Sequence, residues 1–350
     1  MNYMTNSSCS LVTVSHMILE SLDDWQEIDT LREKLPHLYY PLFLGEFNRL
    51  FSFSLIVQSG TFEGDRDQRF EEEFSWGDPV AYYHFTIRNA SYMDPSSFAQ
   101  WMADRVQTQP VVQLYLDHGD FANPIRLPVP DETLGGMAIM RARRSYRGFS
   151  DEALTLDQLS DCLFAGLGII GFVKGSAEGE GYLPFSTTPS GGARNPYEAY
   201  VYVRNVIGLQ PGTYHYSAKD HSLALVNGSF MPAPGTVLAG QPWFDNATAL
   251  VLLVANFERT MWKYPHPTGY RVVLLEGGHI AQNILLAATA HGLASTPTCA
   301  ISDSIAEKLT CQTSLTSAAV YAIALGHKSP IPTAVDPLQL IPNLPGSAHG

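Results

Sequence analysis

The chain has 350 residues, of which 45% are hydrophobic and 16% are charged, as is typical of a globular protein with a large core. Its 34 Asp+Glu against 21 Lys+Arg give a formal net charge of −13, which argues against nucleic acid or an anionic membrane as the main partner. No signal peptide, no apolar run of membrane-spanning length and no metal or disulfide spacing among the four cysteines is apparent, so a cytoplasmic protein is expected.

Three patterns mark the first part of the chain. Apolar residues recur at helical spacing over residues 17–35, which predicts one amphipathic helix. The apolar run Leu50–Val57 predicts a short strand. The acidic stretch Glu63–Glu73 predicts a solvated loop.

A capping signal and a linker signal follow. Asp94 is a favourable N-cap and Pro95 a favourable first helical residue, so a helix is predicted from Asp94 to Arg105. From His118 to Gly136 the chain is rich in Pro, Gly and Asp, which predicts a linker. We therefore place a domain boundary near residue 130, between an N-terminal region (1–130) and a larger domain (131–350).

The second part alternates helix and strand signals. Leucines at helical spacing over residues 155–167 predict a helix, with Thr155 as N-cap and Gln158 three residues later. Residues 270–291 form a long apolar pattern closed by Gly292, which predicts a second helix. Strands are predicted at 198–206, 213–216, 221–226, 249–255 and 318–325. These signals predict an α+β fold, with helices packed around a central mixed β-sheet.

Positive charge is concentrated in Arg143-Arg144-Ser145-Tyr146-Arg147. Guanidinium groups match phosphate oxygens bidentately, and a serine hydroxyl adds a short donor. The stretch therefore predicts a site for a phosphorylated cofactor. A solvated basic surface on an acidic protein is the alternative interpretation.

Two glycine-rich stretches differ in meaning. Gly166 to Gly171 matches G-x-G-x-x-G, but a predicted helix precedes it where a dinucleotide site requires a strand, so we reject that reading. Pro189 to Pro196 precedes a predicted strand, and its small residues let a flat ligand approach the backbone. Ser190 and Arg194 add side-chain donors to this stretch, for which an ordinary turn is the alternative.

Lys263-Tyr264 follows Trp262 and is a candidate general base. Desolvation beside an aromatic ring favours the neutral amine of a lysine, and a neighbouring tyrosine can share the proton. A surface lysine in a Pro- and His-rich loop is the alternative. The histidines lack supporting carboxylates or thiols at ligand spacing, so no metal site is expected.

Five motifs in order resemble those of one family. Arg-Arg-Ser-x-Arg is followed by Pro-Ser-Gly-Gly-Ala-Arg, a Pro-Gly-x-Tyr-His-Tyr hairpin, Lys-Tyr, and Gly-His-Ile-Ala-Gln-Asn within a long helix. Together they resemble the SagB/McbC-type azoline dehydrogenases of the nitroreductase superfamily, over about residues 131–330. This resemblance implies a nitroreductase-like flavoprotein fold and a homodimer with FMN at the subunit interface.

The resemblance also implies roles for particular residues of this chain. The FMN phosphate and ribityl chain would be held by Arg143, Arg144, Ser145 and Arg147. The isoalloxazine ring would be lined by Ser190, Gly191, Gly192 and Arg194. Cys299 and Ala300 would offer backbone N–H groups near the ring, and Lys328 would add a positive contact to the phosphate. Lys263 and Tyr264 match the catalytic Lys-Tyr pair of the family.

The function implied is FMN-dependent oxidation of thiazoline or oxazoline rings to thiazoles or oxazoles in a peptide natural product, with a cyclodehydratase as partner. Trp76 to Asn89 resembles the segment before the flavin domain in longer SagB-type proteins. The helical part before it is interpreted as a degenerate winged-helix peptide clamp, or as an extension that packs on the dimer. Two other functions stay open: a flavin dehydrogenase for a carrier-bound azoline, cyclic dipeptide, nitro compound or quinone, and a flavin-free peptide-binding scaffold.

Overall fold

The computed structural model describes residues 8–22, 24–89, 93–108, 135–175, 181–264 and 266–331. These residues form twelve α-helices and eight β-strands, so the predicted α+β class is confirmed. They divide into two compact units. The first unit comprises residues up to 88, 257–271 and 314–317, and the second comprises 89–256, 272–313 and the residues from 318 onward. The predicted boundary near residue 130, and the predicted linker up to residue 134, lie outside the described residues.

The first unit begins with three helices, α1 (Thr13–Glu20), α2 (Ile28–Lys34) and α3 (Tyr40–Ser52). They share a core of Ile18, Leu31, Leu35, Phe43 and Leu50. The prediction of one helix over residues 17–35 is therefore wrong. Between α1 and α2, polar side chains form hydrogen bonds with backbone groups that a continuous helix would use. The Ser21 hydroxyl donates to the Met17 carbonyl, and Asp24 accepts from the Trp25 N–H.

Two further predictions for the first unit are also wrong. The apolar run from Leu50 is predicted to be a strand, but α3 continues to Ser52. The prediction fails because periodicity cannot separate a short apolar strand from a buried helix end. The acidic stretch forms helix α4 (Phe62–Glu73) instead of a loop. The Thr61 hydroxyl accepts from the Gly64 N–H at 3.1 Å, and acidic residues in the first turn suit the helix dipole.

Three further helices lie before the arginine-rich segment, Arg143–Arg147: α5 (Asp78–Thr86) in the first unit, and α6 (Pro95–Thr108) and α7 (Gly135–Ala142) in the second. Asp94 caps α6 as predicted, since its Oδ1 atom accepts from the N–H groups of Ser96 and Ser97, each at 3.0 Å. Hydrogen bonds from Ser96 and Ser97 lower the pKa of the exposed Asp94 carboxyl group.

Helix α8 (Leu156–Leu167) confirms the prediction over residues 155–167. Thr155 and Gln158 exchange the two hydrogen bonds of a capping box, at 2.9 and 3.2 Å. Strands β1 (Ile169–Lys174) and β2 (Tyr182–Ser186) then pair as a two-stranded antiparallel sheet. The Gly166 to Gly171 stretch thus ends a helix and enters a strand, which is the opposite order from a dinucleotide site.

A six-stranded sheet forms the centre of the second unit, in the order β5-β4-β3-β6-β8-β7. Its strands are β3 (Tyr197–Val203), β4 (Gly212–Ser217), β5 (Ser222–Asn227), β6 (Ala249–Asn256), β7 (Ala294–Thr298) and β8 (Ser317–Gly326). The remaining helices are α9 (Pro234–Val237), α10 (Phe257–Met261), α11 (Thr268–Ala290) and α12 (Asp303–Thr310). The five predicted strands are confirmed, and β7 was not predicted.

The sheet is antiparallel where a mixed sheet was expected. Four neighbouring pairs are antiparallel, and β6 and β8 exchange antiparallel hydrogen bonds, from Thr248 N to Leu325 O and from Phe257 N to Thr316 O. Strands β6 and β7 do run in the same direction, as expected for strands joined through a long helix. Because β8 returns between them, each strand nevertheless has antiparallel neighbours.

Helix α11 matches the predicted long helix, and Gly292 follows it with φ +71°. A Cβ atom added at Gly166 would lie 2.7 Å from Ile284 Cγ1, and the Tyr197 hydroxyl donates to the Val273 carbonyl at 2.9 Å. Among the described helices, α11 alone is long and apolar enough to cross a membrane, so the expectation of no such run is wrong. Its contacts with α8 and β3 are those of a helix packed in a protein core.

Trp76 is the largest fully buried side chain of the first unit. Its ring contacts Phe257 and Tyr270, and its Nε1–H donates to the Tyr264 carbonyl at 3.0 Å. A Cβ atom added at Gly269 would lie 2.8 Å from Trp76 Cζ2, so this glycine makes room for the indole. Trp76 therefore anchors the segment 257–271 within the first unit.

Replacement of Trp76 by alanine is expected to lower the free energy of unfolding of the first unit by about 3–5 kcal/mol, because it leaves a cavity and an unpaired carbonyl. Urea unfolding followed by circular dichroism measures this change. Trp101→Ala is the control, since Trp101 is 40% exposed. Equal effects of the two substitutions would contradict the anchoring role.

Candidate active site

The arginine-rich segment follows α7 and runs beside β7. The Tyr146 N–H donates to the Ser295 carbonyl at 3.1 Å, and the Thr296 hydroxyl donates to the Tyr146 carbonyl. On the other side, Phe149 pairs antiparallel with Lys328 just after β8. Two segments distant in sequence thus hold the backbone of this stretch.

These contacts bring Lys328 next to the arginine-rich segment. Its Nζ atom lies 4.5 Å from the centre of the Tyr146 ring, which is a favourable cation–π distance. Arg143, Ser145 and Arg147 are partly exposed on the same stretch. Guanidinium, ammonium and hydroxyl groups are the donors that a phosphate monoester prefers, so this set fits the phosphate of FMN by its chemistry.

Arg144 differs from its neighbours. Its Nη1 atom donates to the carbonyls of Arg141 and Arg143, at 2.7 and 2.6 Å. A cation at this place also complements the C-terminal end of the α7 dipole. Arg144 therefore has a local capping role that the sequence motif did not reveal.

The glycine-rich turn lies between β2 and β3. Gly192, Ala193 and Asn195 have φ values of +63°, +54° and +43°, in the left-handed region that side chains with a Cβ atom disfavour. Asn195 stabilises the turn through its side chain, which donates to the Pro184 and Ala193 carbonyls and accepts from the Ser186 hydroxyl. Such a strained but well-bonded backbone is characteristic of ligand-binding turns.

Glu276 on α11 completes the turn and was missed by the sequence analysis. It is 5% exposed, its Oε2 atom accepts from the Gly191 N–H at 3.2 Å, and it forms a hydrogen bond with Ser190. Burial raises the pKa of Glu276 to about 7, against the lowering effect of these two hydrogen bonds. The only signal in the sequence was an acidic residue inside an apolar helix.

Val272, one turn before Glu276, fixes the distance between α11 and the turn. A Cβ atom added at Gly191 would lie 2.6 Å from Val272 Cγ1, so glycine is required for this approach. The Ser190 oxygen in turn accepts from the Asn195 N–H at 2.8 Å. Helix α11 therefore packs directly against the turn that contains the predicted residues Ser190 and Gly191.

Cys299 and Ala300 directly follow β7, the strand that borders the arginine-rich segment. The Ala300 N–H donates to the Thr298 hydroxyl at 3.0 Å. Its backbone donor is thus bonded within the loop in this structure, and its role toward the flavin ring stays a prediction. The Cys299 thiol is exposed.

Lys263 and Tyr264 lie after α10 in the first unit. Tyr264 is held through its backbone, since its N–H donates to the Thr260 carbonyl at 2.8 Å and its carbonyl accepts from Trp76. Trp262 is 68% exposed. Lys263 itself is half-buried, so its desolvation and its role as a base stay predictions.

Sequence comparison gives a clear result for the part of the chain that holds these residues. The nitroreductase family matches residues 140–327, a range that includes every predicted site residue except Lys328. A protein of Methanocaldococcus jannaschii named as a nitroreductase, MJ1384, is 36% identical over 156 residues, or 44% of this chain and 73% of that protein. The trifolitoxin-processing protein TfxB of Rhizobium leguminosarum bv. trifolii is 35% identical over 127 residues, or 35% of this chain and 34% of that protein.

Solved structures with a similar chain course include a nitroreductase-like protein of Ralstonia eutropha, with a TM-score of 0.47 and 22% identity over 58% of this chain and 88% of that chain. The E. coli microcin synthetase McbBCD complex contains a chain with a TM-score of 0.46 and 19% identity, over 80% of this chain and 97% of that chain.

Proposed function

Because this chain belongs to the nitroreductase family of flavin oxidoreductases, we propose that it is an FMN-dependent dehydrogenase that oxidises thiazoline or oxazoline rings in a peptide natural product. The observation that carries the flavin part is the phosphate-type donor set of the arginine-rich segment and Lys328 beside β7. Similarity to a trifolitoxin-processing protein supports the SagB/McbC type and the peptide part.

Binding of FMN is assigned to the second unit. Arg143, Ser145, Arg147 and Lys328 would hold the phosphate, with Arg144 contributing less because its Nη1 atom is bound to backbone carbonyls. Ser190, Gly191, Gly192 and Arg194 would line the ring, with Cys299 at its edge. When bound, FMN would supply the two-electron oxidant for the reaction, with dioxygen as the proposed final electron acceptor.

Aromatisation of an azoline removes one hydrogen from each of two adjacent ring carbons. In the proposed reaction, the amine of Lys263 takes the Cα proton while the β-carbon hydride leaves to the oxidant, so two hydrogens and two electrons are removed. Tyr264 shares the proton held by Lys263. Since Trp262 is exposed, we assign the exclusion of water from the amine to the bound substrate ring.

The alternatives are separated by one assay. An azoline-containing peptide incubated with the FMN-loaded protein and oxygen is expected to lose two hydrogens per ring, seen by mass spectrometry as a decrease of about 2 Da. The peptide substrate would be wrong if the protein turned over only a carrier-bound azoline, a cyclic dipeptide, a nitroaromatic or a quinone. The compound that is turned over would then be the substrate. A protein without flavin absorbance would be a peptide-binding scaffold and not an enzyme.

The proposal includes a homodimer with FMN at the subunit interface, a cyclodehydratase that supplies the azoline, and a cytoplasmic location. It also includes a peptide clamp in the N-terminal region. A cleft of about 750 Å³ in the first unit supports the clamp. Its lining includes Trp25, Phe51 and Leu55, together with the carboxylates of Asp24, Glu27 and Asp67, and the described part of the lining has no basic side chain.

A cleft lined by both apolar and acidic groups matches a peptide segment that carries both apolar and basic residues. A fluorescein-labelled amphipathic Leu/Lys peptide is expected to bind with at least about tenfold higher affinity than the corresponding Leu/Glu peptide, as measured by fluorescence anisotropy. Trp25→Ala is expected to weaken binding, and Phe62→Ala is the control, since Phe62 is 76% exposed and is not part of the lining. Equal binding of both peptides would exclude the clamp.

A further inference from the structure

Glu276 is a buried carboxylate without a cationic partner. Its hydrogen-bond partners are Ser190 and Gly191, both neutral, and no ion pair among the described residues involves it. A buried charge that no cation compensates destabilises a fold relative to a neutral group of the same shape. Departures of this kind from a stable arrangement are concentrated at functional sites.

The hydrogen bonds of Ser190 determine what its hydroxyl group can offer to a ligand. A serine hydroxyl has one proton to donate and two lone pairs. One lone pair accepts from the Asn195 N–H at 2.8 Å, and ionised Glu276 can only accept, so the single proton points to Glu276. Toward any ligand, Ser190 then presents its remaining lone pair.

We propose that Glu276 is a positioning residue for the flavin site: it holds the turn from Ser190 to Asn195 in its left-handed conformation and makes Ser190 a hydrogen-bond acceptor toward the bound ring. The inference rests on the proposed flavin site. An acceptor at this position complements a ring N–H group, and the imide of isoalloxazine carries one. The sequence predicts a donor at Ser190, so Glu276 reverses the expected polarity of this contact.

The turn itself shows why a positioning group is needed. Ala193 and Asn195 both have positive φ, a conformation that residues with a Cβ atom disfavour. The Gly191 N–H and the Ser190 hydroxyl point to one carboxylate, while Gly191 is in close contact with Val272. Glu276 thus joins both ends of the strained stretch, through Gly191 directly and through Ser190 to Asn195.

Titration of apo-protein with FMN, followed by quenching of flavin fluorescence, tests the inference. Glu276→Leu removes both acceptors and is expected to raise the Kd for FMN at least about tenfold at pH 8. Glu276→Gln is expected to give a smaller loss, because its amide oxygen still accepts from Gly191 while its NH2 group donates to Ser190. Asp161→Asn is the matched control, since this carboxylate pairs with His291 just after α11 and is 63% exposed.

Thermal unfolding separates positioning from a merely structural role. The pKa of Glu276 is raised to about 7, so its stabilising effect is fully present below about pH 4.5 and is lost as pH rises through 7. We expect Glu276→Gln to unfold at an equal or higher temperature than the unchanged protein at pH 8, although it binds FMN more weakly. Ser190 and Gly191, the groups that contact the carboxylate, do not titrate in this range.

The outcomes distinguish this inference from the proposed function. If the unchanged protein does not bind FMN, both fail. If it binds FMN but Glu276→Leu stays within twofold of its Kd, or Asp161→Asn loses as much affinity, only the positioning role is overturned. Should either Glu276 variant fail to fold, Ser190→Ala provides the same test from the other side: it is expected to weaken FMN binding, and an unchanged Kd overturns the role.

Discussion

Replacement of Arg143 by alanine is expected to yield colourless protein. Phosphate contacts from a guanidinium group are charge-assisted and bidentate, and loss of such a contact weakens binding by about 3 kcal/mol, or about 100-fold in Kd. Arg143 lies where α7 ends and the segment turns to run beside β7, and its side chain is partly exposed. Absorbance at flavin wavelengths after purification, and fluorescence titration of apo-protein, measure the effect.

Arg144→Ala is the matched comparison for this prediction. Because Arg144 donates to the carbonyls of Arg141 and Arg143, we expect its loss to affect α7 more than the cofactor. The affinity of the unchanged protein for FMN should also fall with salt, and this dependence should be weaker in Arg143→Ala. Protein that stays yellow after Arg143→Ala, with a Kd within twofold, would refute the phosphate assignment.

Replacement of Lys263 by alanine is expected to lower azoline oxidation by about 10²–10⁴-fold while FMN stays bound, because a positioned general base contributes about this factor. Tyr264→Phe is expected to give a smaller loss. Its ring is retained and its backbone stays bound to Thr260 and Trp76, so this substitution removes the hydroxyl with little other change. Steady-state rates with an azoline peptide, together with the flavin content of each variant, provide the measurement.

Lys308→Ala is the control for this pair, since Lys308 is an exposed lysine near the end of α12. Lys263→Arg is expected to lose as much activity as Lys263→Ala, because arginine stays protonated and cannot accept the proton. If both Lys263→Ala and Tyr264→Phe retain FMN and full oxidase activity, the catalytic assignment is wrong and another base must be sought.

The second unit was largely predictable because its signals are local. The capping box at Thr155, the alternating strand at residues 198–206 and the glycine after the long helix each act within a few residues. The first unit was not predicted as well. An apolar run such as Leu50–Val57 fits either a strand or a helix end, and packing of α1, α2 and α3 around Phe43 decides between them.

For the site, the sequence by itself determined which chemical groups are available: arginines and a serine in one stretch, small residues in another, and a lysine beside a tyrosine. Group chemistry is a property of the side chain, so a motif is enough to predict it. Only the tertiary structure decided how these groups are used, because hydrogen bonds form between segments distant in sequence. In the folded chain, Lys328 lies next to Tyr146, and Arg144 donates to backbone carbonyls. Trp262 is exposed to solvent. Glu276 is buried against the turn, where it controls the direction of the Ser190 proton.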